Sequence, residues 1–384
     1  MVKINSLYSF DNPYPKTPEA ALMEYNGLLY GTTKYGGARG QGMLFIYDPT
    51  EKTTEVVYSF QGGGDGANPW AAIIEYKGLL YGTTNGGGVR GQGTLFTYNP
   101  IDKTTEVVHS FQGEEDGAYP YAALIEYKGL LYGTTKYGGV RDQGTVFTYN
   151  PNEKHTEVVH SFQGEEDGAY PLATLIEYRD LLYGTTNGGG VGGRGTLFTY
   201  DPINKSTEVV HSFQGQDDGA NPWAAVIEYK GLLYGTTLEG GVVGRGTLFR
   251  YNPNEKTTEV VHSFRGEEGG AYPYPALIEY KGLLYGTTIY GGVRGQGTLF
   301  TYNPNNNTTE VVHRFQGEDG ANPLAALIEY KGLLYGTTRL GGEEGKGKVG
   351  TIFSVTLPVE KEVEKLVENS IKIKLSLKVS VHTG

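Results

Sequence analysis

Short runs of alternating apolar and polar residues, separated by turn residues, make up most of this chain, and the segment from Ala122 to Phe162 shows the pattern whole. Ala-Ala-Leu-Ile-Glu-Tyr (122–127) predicts a strand closed by the pair Lys128-Gly129, and Leu-Leu-Tyr-Gly-Thr-Thr (130–135) follows at once. Two strands around a two-residue loop are the signature of a hairpin. A glycine-rich loop (136–144) leads to a third strand, Thr-Val-Phe-Thr-Tyr-Asn (145–150). The turn Pro151-Asn152-Glu153-Lys154 then leads to a fourth, Thr-Glu-Val-Val-His-Ser-Phe (156–162). Residues 163–171 cross over to the next copy of the same pattern. No helical periodicity interrupts the unit, and four short antiparallel strands are the content of one propeller blade.

The unit recurs. Leu-Leu-Tyr-Gly-Thr-Thr occurs seven times, its tyrosines being Tyr30, Tyr81, Tyr132, Tyr183, Tyr234, Tyr285 and Tyr335, at five intervals of 51 residues and one of 50. A fixed period of that length is one structural unit copied in tandem. The expected fold is therefore all-β, a seven-bladed β-propeller of four-stranded antiparallel blades over residues 1–357. Lys3 to Phe10 aligns with fourth strands such as Thr53 to Phe60, whereas the seventh copy ends near Leu357 without one. The N-terminal strand is thus expected to complete the last blade and close the ring, leaving no open ring end. Residues 358–384 change character, with Val359, Val363, Leu366 and Val367 at helical spacing, then a period-two run from Ile371 to Val381. They predict a C-terminal tail of a short helix and one amphipathic strand.

Composition narrows the function classes. Sixty glycines and 31 tyrosines suit short strands and tight turns. A net charge of −11 gives no basic footprint for a phosphate backbone, so nucleic acid is not an expected partner. The absence of cysteine removes disulfides and thiolate metal sites. Neither a leader-type apolar segment nor a run of 18 apolar residues is present, so no membrane partner is expected and a cytoplasmic location is.

The order Tyr-Lys-Gly-Leu-Leu-Tyr-Gly, a glycine-rich loop, Tyr-Asn-Pro and Glu-Val-Val is similar to kelch repeats. More closely the chain resembles the bacterial tandem repeat called GloVer: Leu-Tyr-Gly-Thr-Thr, Gly-Gly, Gly-Thr-Val/Leu-Phe, Ser-Phe and Asp-Gly-Ala-x-Pro. Residues 79–119 follow it almost throughout, and the likeness covers roughly residues 3–357. It implies the propeller fold and carries little about activity.

Strand alternation places the glycine-rich loops and the crossovers on one face of the ring, the Lys-Gly hairpins and Asn-Pro turns on the other. Loops on a rigid scaffold usually hold function. Copies differ mainly on the first face. After the crossover proline stand Trp70, Tyr121, Leu172, Trp223, Tyr274 and Leu324, a series repeating in threes; near Gly-Thr-Thr stand Tyr35, Tyr137 and Tyr290. Glycine-rich loops add Arg39, Arg90 and Arg294. The candidate ligand-binding set is Trp70, Tyr121, Trp223, Tyr274, Tyr35, Tyr137, Tyr290, Arg39, Arg90 and Arg294. Bulky residues after the proline would serve as binding anchors or would plug the axis and pack between blades.

Other constellations read as structure. The Glu-Glu-Asp-Gly crossovers lack calcium-loop spacing and suggest aspartates capping their own turns. His109, His160, His211, His262 and His313 recur one per blade, too far apart to share a metal, and read as packing or rim residues. Glu24, Glu75, Glu126, Glu177, Glu228, Glu279 and Glu329 end the first strands and would ring one channel mouth, paired with neighbouring lysines or arginines. No catalytic cluster, metal site or cofactor is expected. The functional expectation is a non-enzymatic binding scaffold for a protein partner. A multivalent carbohydrate-binding lectin, hence a glycan, is the alternative, and an enzyme with a site on the propeller axis fits least.

Overall fold

The computed structural model describes residues 2–10, 17–342 and 350–357; the tail expected over 358–384 lies outside them. Seven antiparallel sheets form the ring. Blade 3 is representative: Ile125–Tyr127 lies innermost, followed outward by Leu130–Thr135, Thr145–Asn150 and His155–Ser161. In blade 7 the order from inside is Ile328–Tyr330, Leu333–Thr338, Thr351–Thr356 and then Lys3–Ser9, so the first strand of the chain closes the ring as its sequence suggested. Blades 4 and 5 each gain a fifth short strand, Ala169–Pro171 and Ala220–Pro222, where the crossover runs alongside the end of the second strand. Elsewhere the same approach makes single bridges such as Ala118 to Tyr137.

The repeated hexapeptide is explained by packing. Blades stack face against face, so the second strand is buried on both sides almost throughout. Glycine is required at its fourth position: a Cβ on Gly133 would lie 2.5 Å from Phe147 Cζ and 2.7 Å from Leu124 Cδ2. Of the two threonines, Thr134 donates to Ala173 O of the next blade, and Thr135 donates to Tyr137 O at 2.9 Å, fixing the loop that follows. The core is seven apolar clusters, one per blade interface. Between blades 3 and 4, Tyr132, Val146 and Phe162 meet Leu175, Leu182, Phe198 and Tyr200. Between blades 7 and 1, Phe10, Tyr335 and Ile352 meet Leu22, Leu29, Phe45 and Tyr47.

Three local details depart from simple alternation. Each complete fourth strand bulges at its paired valines: in blade 3, Val146 faces His160 while Phe147 faces Val158, leaving Val159 as the extra residue. The hairpin pair Lys128-Gly129 has φ of 50° and 86°, a left-handed turn matched to strand twist. The first-strand glutamates do not pair across blades as expected. Each turns back on its own hairpin, Glu126 Oε1 accepting from Gly129 N at 2.7 Å, because an unpaired amide there lies within reach of the side chain.

Candidate functional site

The crossover delivers each chain segment to the axis immediately after a buried proline, so the next side chain points inward. Trp70, Tyr121, Leu172, Trp223, Tyr274 and Leu324 accordingly line one cavity of about 120 Å³ at the loop-bearing end of the axis. Tightly packed alanines such as Ala71, Ala122 and Ala173 form the wall behind them. Trp70 and Tyr121 stand edge to face at 5.4 Å, and Trp223 and Tyr274 lie 4.7 Å apart at 35°. Four of the ten residues selected from sequence thus come together here.

The seventh position is Glu19, which sequence comparison missed. Thr17-Pro18-Glu19 of blade 1 aligns with Asn68-Pro69-Trp70, and the proline was the available signal. The Glu19 side chain is only 1% exposed and lines the same cavity. Arg339 Nε stands 3.3 Å from its Oε1, an ion-pair distance, and the Thr17 hydroxyl lies nearby, yet neither carboxylate oxygen makes a close hydrogen bond among the described residues. Burial pushes the Glu19 carboxyl above its ordinary range, against the opposing pull of Lys34 and Arg339. The Tyr274 phenol is pushed up by burial and by the nearby Glu19 charge.

Around this centre lies a second ring. Lys34 Nζ sits 4.0 Å from the Trp70 ring centroid and 4.9 Å from that of Tyr35. Lys136 Nζ lies 4.9 Å from Tyr137 and 5.5 Å from Tyr121. Tyr35 and Tyr290 are exposed, whereas Tyr137 is half-buried. Tyr137 contacts Tyr170 at 5.4 Å and Tyr119 at 5.9 Å; neither neighbour was selected from sequence. The glycine-rich loops turn outward, so Arg39, Arg90 and Arg294 are exposed at the rim and away from the axis. Arg90 and Arg294 donate to Gln112 O and Gln316 O at 3.4 Å. Beside them Val89, Val140, Val191 and Val293 project as exposed loop tips. Arg90 also joins Glu114, Tyr119, Tyr137 and Asp142 in a groove of about 660 Å³ between blades.

The crossover aspartates cap their own turns and also reach the fourth strand. Asp116 accepts from Gln112 N at 2.7 Å and contacts His109 Nε2 at 2.8 Å, tying the crossover back to the fourth strand. His160–Asp167, His211–Asp218 and His313–Asp319 repeat the pairing, and Tyr58–Asp65 replaces it in blade 1. Blade 5 has Gly269 at the aspartate position, so His262 lacks this acceptor. Each pair serves one blade. Among the described residues no group of three or more His, Asp or Glu side chains is close enough together to hold a metal ion. No described helix is long and apolar enough to cross a membrane.

Fold and loop architecture together define a seven-bladed β-propeller with a loop-bearing face centred on an aromatic axis. The chain belongs to the Gloeobacter/Verrucomicrobia repeat family, whose pattern matches residues 2–191 and again 164–353. No curated protein matches it by sequence. Among solved structures it is similar to the extracellular domain of a hybrid two-component system from B. thetaiotaomicron, with 13% identity and a TM-score of 0.63. That likeness covers 92% of this chain but 40% of the other, so the chain spans about two fifths of that protein's length. It is also similar to an oligogalacturonate lyase from Vibrio parahaemolyticus, with 10% identity, a TM-score of 0.57 and coverage of 93% and 94%. A 6-phosphogluconolactonase from Bacteroides uniformis gives 14% identity, a TM-score of 0.52 and coverage of 76% and 83%. At these identities the likeness is one of fold alone.

Proposed function

We propose that this protein is a binding scaffold whose loop-bearing face captures a protein partner. One observation carries the reading: the positions at which the copies differ gather on that face, around a centre of Trp70, Tyr121, Trp223 and Tyr274. Tryptophan and tyrosine in a partly desolvated central recess, surrounded by a rim, are the usual composition of an interface hot spot. The valine tips and their neighbouring arginines supply that rim, held out by loops whose backbone is hydrogen-bonded to the crossovers. Affinity capture from the native organism, comparing the intact chain with a Trp70→Ala/Trp223→Ala double variant, tests it. A specifically captured protein should be lost with the variant while the circular dichroism spectrum is unchanged; equal capture by both would refute the axial anchor.

The groove holding Arg90, Glu114, Tyr119, Tyr137 and Asp142 favours glycan binding as a second reading, because it combines aromatic faces with charged hydrogen-bonding groups. Repeated weak sites gain by avidity. Gly86 and Gly188 occupy the place of Tyr137 in neighbouring blades, however, so the platform is not repeated around the ring.

A further inference from the structure

The ring carries an internal comparison. Blades 1–3 and blades 4–6 align with one another at a spacing of 153 residues, which sets Trp223 against Trp70 and Tyr274 against Tyr121. At the same spacing Asn187 replaces Lys34 and Ile289 replaces Lys136. In the first block the chain supplies its own cations to the aromatic rings, Lys34 at 4.0 Å from Trp70 and Lys136 at 5.5 Å from Tyr121. In the second block the two equivalent residues are neutral, while the Trp223–Tyr274 pair is kept at 4.7 Å.

We infer that the Trp223–Tyr274 side of the axial cavity, together with Glu19, is a binding site for a protonated primary amine or guanidinium group. The inference deepens the proposed binding function by naming the chemistry of its central anchor. Glu19 is the second, independent indication. It is a carboxylate with a 1% exposed side chain, lining the cavity, with the Thr17 hydroxyl nearby but no close hydrogen bond to either oxygen among the described residues. Lys34 and Arg339 offset part of its charge but leave both oxygens without a close hydrogen bond among the described residues. A buried carboxylate in that state favours a partner that brings charge and N–H donors together. Aromatic faces attract any cation, but the open acceptors select an ammonium or guanidinium over a quaternary nitrogen, which has no N–H. The cavity of about 120 Å³ has room for an ammonium or guanidinium head group. A free small amine and the lysine or arginine side chain of a partner present the same group.

The chain provides its own reporter, since Trp70 and Trp223 are its only two tryptophans and both line the cavity. In a full-length Trp70→Phe background, Trp223 fluorescence is titrated at constant ionic strength. The probes are n-butylammonium, methylguanidinium, tetramethylammonium, n-butanol and a Gly-Lys-Gly peptide. Saturable responses to the first two are expected, with butanol and tetramethylammonium at least about tenfold weaker, the scale of one charge-assisted hydrogen bond. Glu19→Gln should abolish the response. Asn187→Lys, which restores the lysine of the first block, should block the site without touching the carboxylate, so a folding failure of the first variant leaves the test intact. Peptide binding as tight as that of the free amine assigns the site to a partner's side chain; amine binding without peptide binding assigns it to a small molecule. No saturable response up to about 10 mM, well above the millimolar constants of weak sites, overturns the inference, as does undiminished binding by Glu19→Gln and Asn187→Lys. Partner capture that depends on Trp70 and Trp223 without any amine response would remove this inference and leave the proposed function standing.

Discussion

Blade 5 is a natural deletion of the histidine–aspartate tie, and restoring it measures what the tie contributes. Gly269 ends a short 3₁₀ turn, Glu267–Gly269, that matches Gln216–Asp218 of blade 4, and a Cβ there meets nothing within 4 Å. Gly269→Asp should therefore place a carboxylate where Asp218 stands, accepting from Arg265 N as Asp218 accepts from Gln214 N at 2.8 Å, and contacting His262 as Asp218 contacts His211 at 3.0 Å. Charge-assisted hydrogen bonds contribute about 1.5–3 kcal/mol each. The blade 4 pair is 22% and 27% exposed, and ordering an aspartate costs entropy, so a net gain of about 1–2 kcal/mol is the reasonable figure. For a chain of this size that is a rise in Tm of about 1–2.5 °C, read by calorimetry.

The same variant has a second readout. Burial, and then the Arg265 charge, hold the His262 ring below its ordinary pKa. A histidine depressed in the folded state binds fewer protons than in the unfolded chain, so its contribution to stability is lost as pH falls below about 6.5. The carboxylate introduced by Gly269→Asp should raise the His262 pKa, measured by NMR titration of the ring, and should flatten that acid loss. An unchanged titration with no gain in stability would refute the idea that the pair fastens crossover to strand.

Two further outcomes follow from the packing. Gly133→Ala drives a methyl group into Phe147 and Leu124 and should cost about 1–3 kcal/mol, visible as a lower denaturant midpoint, whereas Gly40→Ala, with open space around it, should cost less despite its positive φ. Removing residues 1–10 deprives Thr351–Thr356 of its outer partner and Leu22 and Phe45 of Phe10. The truncated chain should self-associate in light scattering through the exposed edge, and a peptide of residues 1–10 added in trans should reverse it.

Most of the fold was legible because its determinants are local and repeated. The hexapeptide spacing gave the blade count, and the likeness of Lys3–Phe10 to the fourth strands gave the closure. The bulge at Val159 was not legible, since two adjacent valines satisfy either register. The His–Asp tie had a signal, a constant separation of seven residues in three successive blades, but only the tight turn between them shows that seven residues bring the side chains together. At the axis the aromatic series was visible as variation. Glu19 was not, because a carboxylate does not resemble the tryptophans, tyrosines and leucines it aligns with, and only the shared proline marks its place.

Ring closure also imposes an order on biosynthesis. Lys3–Ser9 is made roughly 340 residues before its partner Thr351–Thr356. At about 5–20 residues per second, the opening strand waits some tens of seconds on the ribosome with its hydrogen-bonding edge unclaimed. Six blades have their own four strands in sequence during that interval, and the seventh depends on that earlier strand still being free. The latch of the finished ring is thus also its slowest contact to form, and a second nascent chain nearby offers the same vacancy to the same strand.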